Sequence, residues 1–343
     1  MASPKIYYDT VKKKWIVVDK NGNSGAICFG NCNAGSVEPL PCGNTGVFGG
    51  GYNGNYLSNI DYVKISTPGN AQNFGNLTVA RYGLGATSNG INNRGVFGGG
   101  YTNASISILS NIDYITISTP GNAQNFGSLM TPRYGIAATS NSTNNRGVFA
   151  GGYTTSNHNV SKIDFINIST PSNAHNFGDL TVARHGLGAT SNGTNDRGVF
   201  GGGHVGITNS IIIDYITIST PGNAKKFGSL ITSRYGLAAT SNSENDTGVF
   251  GGGYNGNYLS EIDSITISTP GNAQNFGNLS VGRYYLAATS NGTRDRGLFG
   301  GGHANSGYTS VISYFIFSTL IEYFTNFGDL TIARSRLAAT SNA

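Results

Sequence analysis

Short segments that mix apolar, aromatic and β-branched residues, each of strand length, follow one another along the chain from about residue 46 onwards. In the segment IDYITIST (residues 112–119), Ile112 and Tyr114 fall on one face of a predicted strand, whereas Ile115 and Ile117 fall on the other. Because both faces are apolar, the segment predicts a strand in a sheet that packs between two other sheets.

These segments belong to a repeat of about fifty residues. Each unit contains four predicted strands, in the order YGLAATSN, RGVFGGG, IDYITIST and NFGNLTVAR, separated by segments rich in Gly, Pro, Asn and Ser. The anchor GVFGGG, or a close variant, begins at six glycines: Gly46, Gly95, Gly147, Gly198, Gly248 and Gly297. Such a pattern is typical of propeller blades, so we predict an all-β, six-bladed β-propeller with four antiparallel strands per blade.

Turn chemistry and small residues fit this prediction. Pro-Gly pairs such as Pro68-Gly69 and Pro120-Gly121 predict type II turns between the third and fourth strands. The sixth unit has Thr319-Leu320-Ile321 at this place, which predicts a differently shaped hairpin. The small residues of the octet YGLAATSN suit the innermost strand, where blades converge on an axis.

The two ends of the repeat region complement each other. The first unit starts at Gly46 on its second strand, whereas RLAATSNA (residues 336–343) is an inner strand with no blade after it. We therefore predict that residues 336–343 pair beside residues 46–51 and close the ring. GAICFGN (residues 25–31) is the competitor for this place and matches the octet less well.

Composition and charge narrow the class of protein. The 343 residues include 52 glycines, 19 tyrosines and 17 phenylalanines, and 11% are charged, which favours a rigid, turn-rich all-β chain. The net charge of +5 is spread thinly, and three lysines at residues 12–14 are too few to favour nucleic-acid binding. The chain shows no signal-peptide core and no apolar stretch of membrane-spanning length, so a soluble product that is not exported is expected. The chain has an odd number of cysteines, and all three precede the repeats: Cys28, Cys32 and Cys42. This pattern favours reduced thiols over disulfides or a zinc site.

The residues of the repeat also resemble a known family. An arginine before the first strand, a Gly-Gly doublet at the end of the second and an aromatic residue near the fourth resemble the kelch motif, with phenylalanine in place of the usual tryptophan. These phenylalanines are Phe74, Phe126, Phe177, Phe227, Phe276 and Phe327. The whole array from Gly46 to Ala343 is similar to kelch-like repeat proteins in the virions of tailed bacteriophages, notably those of cyanobacteria and marine bacteria. The resemblance implies a kelch-like propeller that serves as a virion component, such as a tail, tail fibre, baseplate or capsid-associated protein.

One face of the predicted disc is a candidate for recognition. Strand direction places the loops after the second and fourth strands on the same face, and the loops after the glycine triplets vary between units, as recognition loops on rigid scaffolds do. The candidate binding residues on this face are Arg81, Arg133, Arg184, Arg234, Arg283, Arg334, Tyr52, Tyr101, Tyr153, His204, Tyr254 and His303. A further aromatic residue follows five of the arginines: Tyr82, Tyr134, His185, Tyr235 and Tyr284.

Two interpretations of the arginines stay open. In one, they line a cationic, aromatic-rimmed mouth that holds an anionic sugar, a phosphate or the carboxylates of a partner. In the other, which we favour because the arginine recurs in every unit, each one pairs with the aspartate in the third strand of its own unit. The predicted pairs are Arg81 with Asp61, Arg133 with Asp113, Arg184 with Asp164, Arg234 with Asp214, and Arg283 with Asp263. The sixth unit has Ser313 in place of the aspartate, so Arg334 is predicted to be free for a partner.

No catalytic, metal-binding or cofactor-binding group of residues stands out, and a non-enzyme without cofactors is expected. The five histidines, His158, His175, His185, His204 and His303, are scattered over different units. Galactose oxidase also has kelch repeats, but its copper and thioether-linked tyrosine require a cysteine within the propeller, and this repeat region has none. The recurrent aspartate occupies one structural position five times, which argues against paired catalytic carboxylates. A glycan-cleaving activity stays open as the enzymatic alternative.

Residues 1–44 form a predicted N-terminal extension, and residues 45–343 form the predicted propeller domain. KIYYD and KWIVVD, which contains Trp15, predict a small hairpin that is followed by a tether, GNCNAGSVEPLPCGN. Since a two-stranded hairpin is only marginally stable alone, it is expected to pack on the propeller or on another virion protein.

Together these features predict a non-enzymatic virion component that is made in the host cytoplasm. Its N-terminal segment is expected to bind other virion proteins, and its propeller to present variable loops to a protein or a host-surface glycan. Assembly with copies of itself in the particle fits this role, whereas nucleic-acid binding and membrane insertion are not expected. The alternative is a free bacterial carbohydrate-binding propeller, lectin-like, with the aromatic mouth as its site.

Overall fold

The computed structural model describes residues 5–9, 14–18, 24–26, 44–89, 93–103, 107–141, 145–156, 158–192, 196–242, 246–291, 295–318 and 325–342. Within these ranges the chain forms strands, turns and extended segments without a helix. Cys28, Cys32, Cys42, the tether up to residue 43 and Thr319-Leu320-Ile321 lie outside the described residues.

The three N-terminal stretches are strands of one antiparallel sheet, Lys5–Asp9, Lys14–Val18 and Ser24–Ala26. The predicted hairpin is confirmed, because Lys5–Asp9 pairs with Lys14–Val18. Gly25 and Ala26, the first residues of the segment that competes for the inner-strand position, lie in the third strand of this sheet, Ser24–Ala26.

Six four-stranded antiparallel sheets follow, here numbered 1 to 6 in chain order, and their strands are called inner, second, third and outer in spatial order. The inner strands of sheets 1 to 6 are Ala338–Ser341, Gly85–Asn89, Ala137–Asn141, Gly188–Asn192, Ala238–Asn242 and Ala287–Asn291. The second strands are Thr45–Gly49, Arg94–Tyr101, Arg146–Ala150, Arg197–Gly201, Thr247–Gly251 and Arg296–Gly300. The third strands are Asn59–Lys64, Ile108–Thr116, Lys162–Asn167, Ile212–Thr217, Glu261–Thr266 and Val311–Ile316. The outer strands are Gln72–Asn76, Gln124–Ser128, His175–Asp179, Lys225–Ser229, Gln274–Asn278 and Thr325–Asp329. Five two-residue strands lie in the connections: His204–Val205, Thr208–Asn209, Arg283–Tyr284, His303–Ala304 and Gly307–Tyr308.

Sheet 1 combines segments from both ends of the repeat region. Its inner strand pairs antiparallel with its second strand, with Ala338 opposite Gly49 and Ser341 opposite Gly46. The side-chain oxygen of Asn342 also accepts a hydrogen bond from the N–H of Thr45 at 2.9 Å. The pairing that the sequence predicts for this segment is therefore confirmed.

Six clusters of buried apolar side chains lie between neighbouring sheets and form the core. Val47 of sheet 1 packs with Phe97 of sheet 2, and Phe48 of sheet 1 packs in the same way with Leu298 of sheet 6. The phenylalanine of GVFGGG is fully buried in every sheet. Its ring packs against the glycine or alanine that ends the second strand of the preceding sheet. A Cβ atom at Gly49 would lie 2.7 Å from the ring of Phe97, so glycine here allows the sheets to approach closely.

The inner strands contact one another in succession, and the inner strand of sheet 1 contacts those of sheets 6 and 2. Small residues permit this approach, as predicted, because a Cβ atom at Gly85 would lie 3.1 Å from that of Ala138. The fold is all-β and β-propeller-like.

The type II turns predicted at the Pro-Gly pairs are wrong. The reverse turn lies just before them, where the N–H of Thr67 donates to the carbonyl of Lys64 at 3.0 Å, and Gly69 does not adopt a positive φ. The Pro-Gly segment continues along the outer strand of the preceding sheet, and the side chain of Asn70 accepts a hydrogen bond from the N–H of Asp329 at 3.0 Å. The recurrent sequence PGNA thus joins neighbouring sheets.

Candidate binding face

The six repeated arginines lie between the outer strand of one sheet and the inner strand of the next, and their side chains are buried. The backbone N–H of Arg81 donates to the carbonyl of Leu57 in sheet 1 at 3.0 Å. Its guanidinium group pairs with Asp113 of sheet 2 at 3.1 Å and donates to the carbonyl of Phe97 at 3.3 Å. The arginine therefore links one sheet to the next.

Internal pairing of the arginines is present, but the predicted partners are wrong. The observed pairs are Arg81 with Asp113, Arg133 with Asp164, Arg184 with Asp214, Arg234 with Asp263, and Arg334 with Asp61. Each arginine binds the aspartate of the following sheet, because it comes after the outer strand and already stands at the entrance to that sheet.

Arg334, which was predicted to be free, is fully buried and pairs with Asp61 at 3.1 Å. Arg283 is the arginine that meets Ser313 in place of an aspartate, and it donates to the serine hydroxyl at 3.1 Å. Burial lowers the pKa of both guanidinium groups, but Asp61 opposes this effect at Arg334. The serine in place of aspartate in sheet 6 thus leaves a buried arginine between sheets 5 and 6 that bonds to a hydroxyl instead of a carboxylate.

Aromatic rings form a continuous belt where these connections meet the loops after the glycine triplets. Neighbouring rings have centroids 4.7 to 6.1 Å apart and are mostly edge-to-face, a favourable arrangement. The belt includes rings from the connections of all six sheets. It returns to its first member, Tyr52, because Tyr52 contacts Tyr308. We call this surface the aromatic face; it consists of Tyr52, Tyr56, Tyr82, Tyr101, Tyr134, Tyr153, His185, His204, Tyr235, Tyr254, Tyr258, Tyr284, Tyr285, His303 and Tyr308. All the aromatic candidates from the sequence lie in it, and most are half-buried.

Backbone pairing between neighbouring sheets fixes these rings. The N–H of Tyr82 donates to the carbonyl of Tyr101 at 3.0 Å, and the N–H of Tyr101 donates back at 2.8 Å. Equivalent bridges join Tyr134 with Tyr153, His185 with His204, Tyr235 with Tyr254, and Ser335 with Tyr52. The aromatic side chains are therefore presented by rigid backbone, as a binding surface requires.

A ring of six residues with positive φ lies at the centre of the aromatic face. We call it the axial ring; its members are Gly83, Gly135, Gly186, Gly236, Tyr285 and Arg336, with φ between 52° and 67°. Each N–H donates to the carbonyl of the preceding member at 2.5 to 2.8 Å, and the N–H of Gly83 donates to the carbonyl of Arg336. Four of the six members are glycine, for which a positive φ is favourable. Tyr285 and Arg336 are the two members with side chains, and this conformation costs each of them about 1–2 kcal/mol.

Arg336 is the cation of the aromatic face. Its guanidinium carbon lies 4.4 Å from the centre of the Tyr285 ring and 4.8 Å from that of Tyr82. Among the described residues, no carboxylate or carbonyl oxygen accepts a hydrogen bond from its side chain. Burial alone would lower its pKa, but the surrounding tyrosines raise it, so the group stays charged.

Arg336 also lines a cavity on the axis. The cavity has a volume of about 110 Å³ and is lined by residues of all six inner strands and of the axial ring. Further along the inner strands, serine hydroxyls bind carbonyls of the neighbouring strands; Ser341 donates to Ser290 at 2.8 Å, and Ser290 to Ser241 at 2.7 Å.

The other ionisable groups near Arg336 are neutral at pH 7. Burial raises the pKa of Tyr82, Tyr134 and Tyr285. Burial, His204 and Arg336 together lower the pKa of His185 to about 4. The amide nitrogen of Asn159 donates to the His204 carbonyl, so its oxygen accepts from Nδ1–H of His185 at 2.6 Å.

Sequence reasoning found most of the aromatic face but missed the role of Arg336 and Tyr285. The signal was present in the octets, because four repeats have glycine at this position and two do not. Within the described ranges, no three His, Cys, Asp or Glu side chains form a group that could hold a metal ion. The same part of the chain contains no helix that is long and apolar enough to cross a membrane.

Comparison with known protein families and with curated protein sequences finds no match to this chain.

Proposed function

We propose that the six sheets form a closed, six-bladed, kelch-like β-propeller. Three features support closure between sheets 6 and 1: the pairing of Ala338–Ser341 with the second strand of sheet 1, the ion pair of Arg334 with Asp61, and the bond from Gly83 to Arg336. The apolar cluster between these two sheets is built from residues at the same repeat positions as the other five clusters. A closed disc leaves no apolar sheet face uncovered at either end of the array.

We propose further that the protein is a non-enzymatic virion component of a tailed phage, in the tail, the baseplate or the capsid-associated layer. Its aromatic face binds a host-surface glycan or a protein, and its N-terminal segment binds other virion proteins. The observation that supports binding most strongly is the aromatic face itself, a continuous, partly exposed set of rings on fixed backbone. The virion role rests on the resemblance of the repeats to kelch-like virion proteins.

Glycan binding is the form of recognition that this surface fits best. The C–H faces of pyranose rings stack on aromatic rings, and neutral phenol groups donate hydrogen bonds to sugar hydroxyls. The six repeated arginines bind groups of the neighbouring sheets and stabilise the scaffold. The aromatic residues are therefore the side chains that contact the ligand.

A glycan array probed with the full chain tests the binding proposal. Wild-type protein should bind a subset of bacterial surface glycans, and Tyr101→Ala or Tyr153→Ala should weaken that binding because each variant removes a stacking ring. Tyr114→Ala is the matched control, since Tyr114 lies in a third strand against Phe126 and outside the aromatic face. Equal loss in the control, or an array without any bound glycan, contradicts the proposal.

Electron microscopy of particles labelled with an antibody against the chain tests the virion role. Labelled particles support it. A chain that binds glycans and is absent from purified particles is instead the free, lectin-like propeller of bacterial origin.

A further inference from the structure

Arg336 combines three unusual features that the scaffold itself does not require. It adopts a positive φ of 56° at a position where four of six repeats have glycine. Its guanidinium group contacts two aromatic rings and, among the described residues, has no hydrogen-bond acceptor. It stands at the rim of the axial cavity. A residue held in a costly conformation with unused donors points to a ligand.

We propose that Arg336 binds the carboxylate of an acidic sugar, such as a uronic acid, at the axis of the aromatic face. The proposal rests on the proposed glycan-binding function and names its ligand class. The planar guanidinium group can bind a carboxylate through two parallel hydrogen bonds. The sugar ring that carries this carboxylate then rests on the surrounding tyrosines.

The charge and size of the site favour one carboxylate. The surrounding tyrosines and His185 are neutral at pH 7, so a single positive charge faces the ligand. The cavity of about 110 Å³ is large enough to admit a carboxylate group. The many aromatic rings of this face match the faces of a sugar chain, whereas the acidic side chains of a peptide have no ring to stack on them.

The positive φ of Arg336 also makes glycine a suitable substitution for testing the role of its side chain. Arg336→Gly removes the guanidinium group and inserts the residue found at four equivalent positions of the axial ring, so the ring and its backbone hydrogen bonds should persist. The relief of the positive φ and the loss of the two cation–π contacts are similar in size, so the melting temperature should change little. Arg336→Lys keeps the charge but loses the two-pronged geometry.

Calorimetric titration of the full chain with a galacturonic acid oligomer, and with its methyl ester, tests the proposal. The two probes share ring shape and differ in charge. Wild-type protein should bind the acid at least about tenfold more tightly than the ester, since a hydrogen bond to a charged group is lost in the ester. Arg336→Gly should remove this preference, Arg336→Lys should keep part of it, and added salt should weaken only the binding of the acid.

The outcomes separate this proposal from the broader one. If wild type binds acid and ester equally, or if Arg336→Gly keeps the preference, the acidic-sugar site is refuted while glycan binding stands. If neither probe binds and the glycan array is also empty, both proposals fail. If hexaglutamate binds through Arg336 and no sugar does, the ligand class is a peptide and the proposal is overturned.

Discussion

Replacing Ser313 with aspartate should stabilise the protein, because it supplies a carboxylate to Arg283, which pairs with none among the described residues. Burial lowers the pKa of Arg283 to about 10, and the shift from its ordinary value corresponds to about 3 kcal/mol at 1.36 kcal/mol per pKa unit. In sheet 4, the equivalent Asp214 also accepts hydrogen bonds from the N–H and hydroxyl of Thr181. Ser280 occupies the place of Thr181 beside sheet 6, so an aspartate at position 313 can find the same donors.

The new carboxylate must itself be desolvated, so we expect a net gain of about 2 kcal/mol in the free energy of unfolding. Guanidinium unfolding followed by circular dichroism measures it. Ser313→Asn fills a similar volume without charge and should gain less. The reverse change, Asp214→Ser, leaves Arg184 buried without its partner and should cost about 3–5 kcal/mol. The reasoning is refuted if Ser313→Asp is no more stable than Ser313→Asn.

Three further predictions concern packing, closure and pH. Gly328→Ala should lower the melting temperature far more than Gly201→Ala. A Cβ atom at residue 328 would clash with a backbone carbonyl, whereas a Cβ atom at residue 201 would contact an aromatic ring, and sheet 3 already has alanine at the equivalent position. Similar decreases for the two variants would contradict this prediction. The amide of Gly83, which bonds across the closure, should exchange with solvent as slowly as that of Gly135, and NMR-detected exchange at a much faster rate at Gly83 would indicate an open array. His185 has a folded pKa of about 4, below its ordinary 6.5, so its unfolded form takes up a proton first and stability falls as pH falls from about 6.5 towards 4. His185→Tyr, which inserts the residue of four equivalent positions, should show a smaller drop in melting temperature between pH 7 and pH 5, and an unchanged drop would assign the effect to other groups.

The repeat made most of the fold predictable. Strand order, the six sheets and the pairing of the last strand follow from the period and from the complementary ends of the array, because each segment can bury its apolar faces only in a stack. The aromatic face was also predictable, since its rings occupy fixed positions next to the arginines and glycine triplets. Local turn chemistry was less informative: Pro68-Gly69 has the residues of a type II turn, but hydrogen bonds to the neighbouring sheet decide its conformation.

Contacts between units were the part that the sequence could not place. An arginine such as Arg81 lies 20 residues after Asp61 and 32 residues before Asp113, and only the path of the connection selects the more distant Asp113 over Asp61. The error displaced the unpaired arginine by one unit, from Arg283 to Arg334. Arg336 was overlooked because its octet was interpreted as a closing strand, and its exposure to the axis depends on a backbone conformation that composition does not reveal.

NMR titration of tyrosine ring protons with a galacturonic acid oligomer tests the central claim, that the aromatic face is the ligand-binding surface, most directly. The account predicts shifts for rings of the aromatic face, largest at Tyr82 and Tyr285 beside Arg336, with no change at the third-strand rings of Tyr62 and Tyr114. Shifts confined to the third-strand tyrosines would contradict this claim, and no shifts at a saturating concentration would contradict the acidic-sugar site.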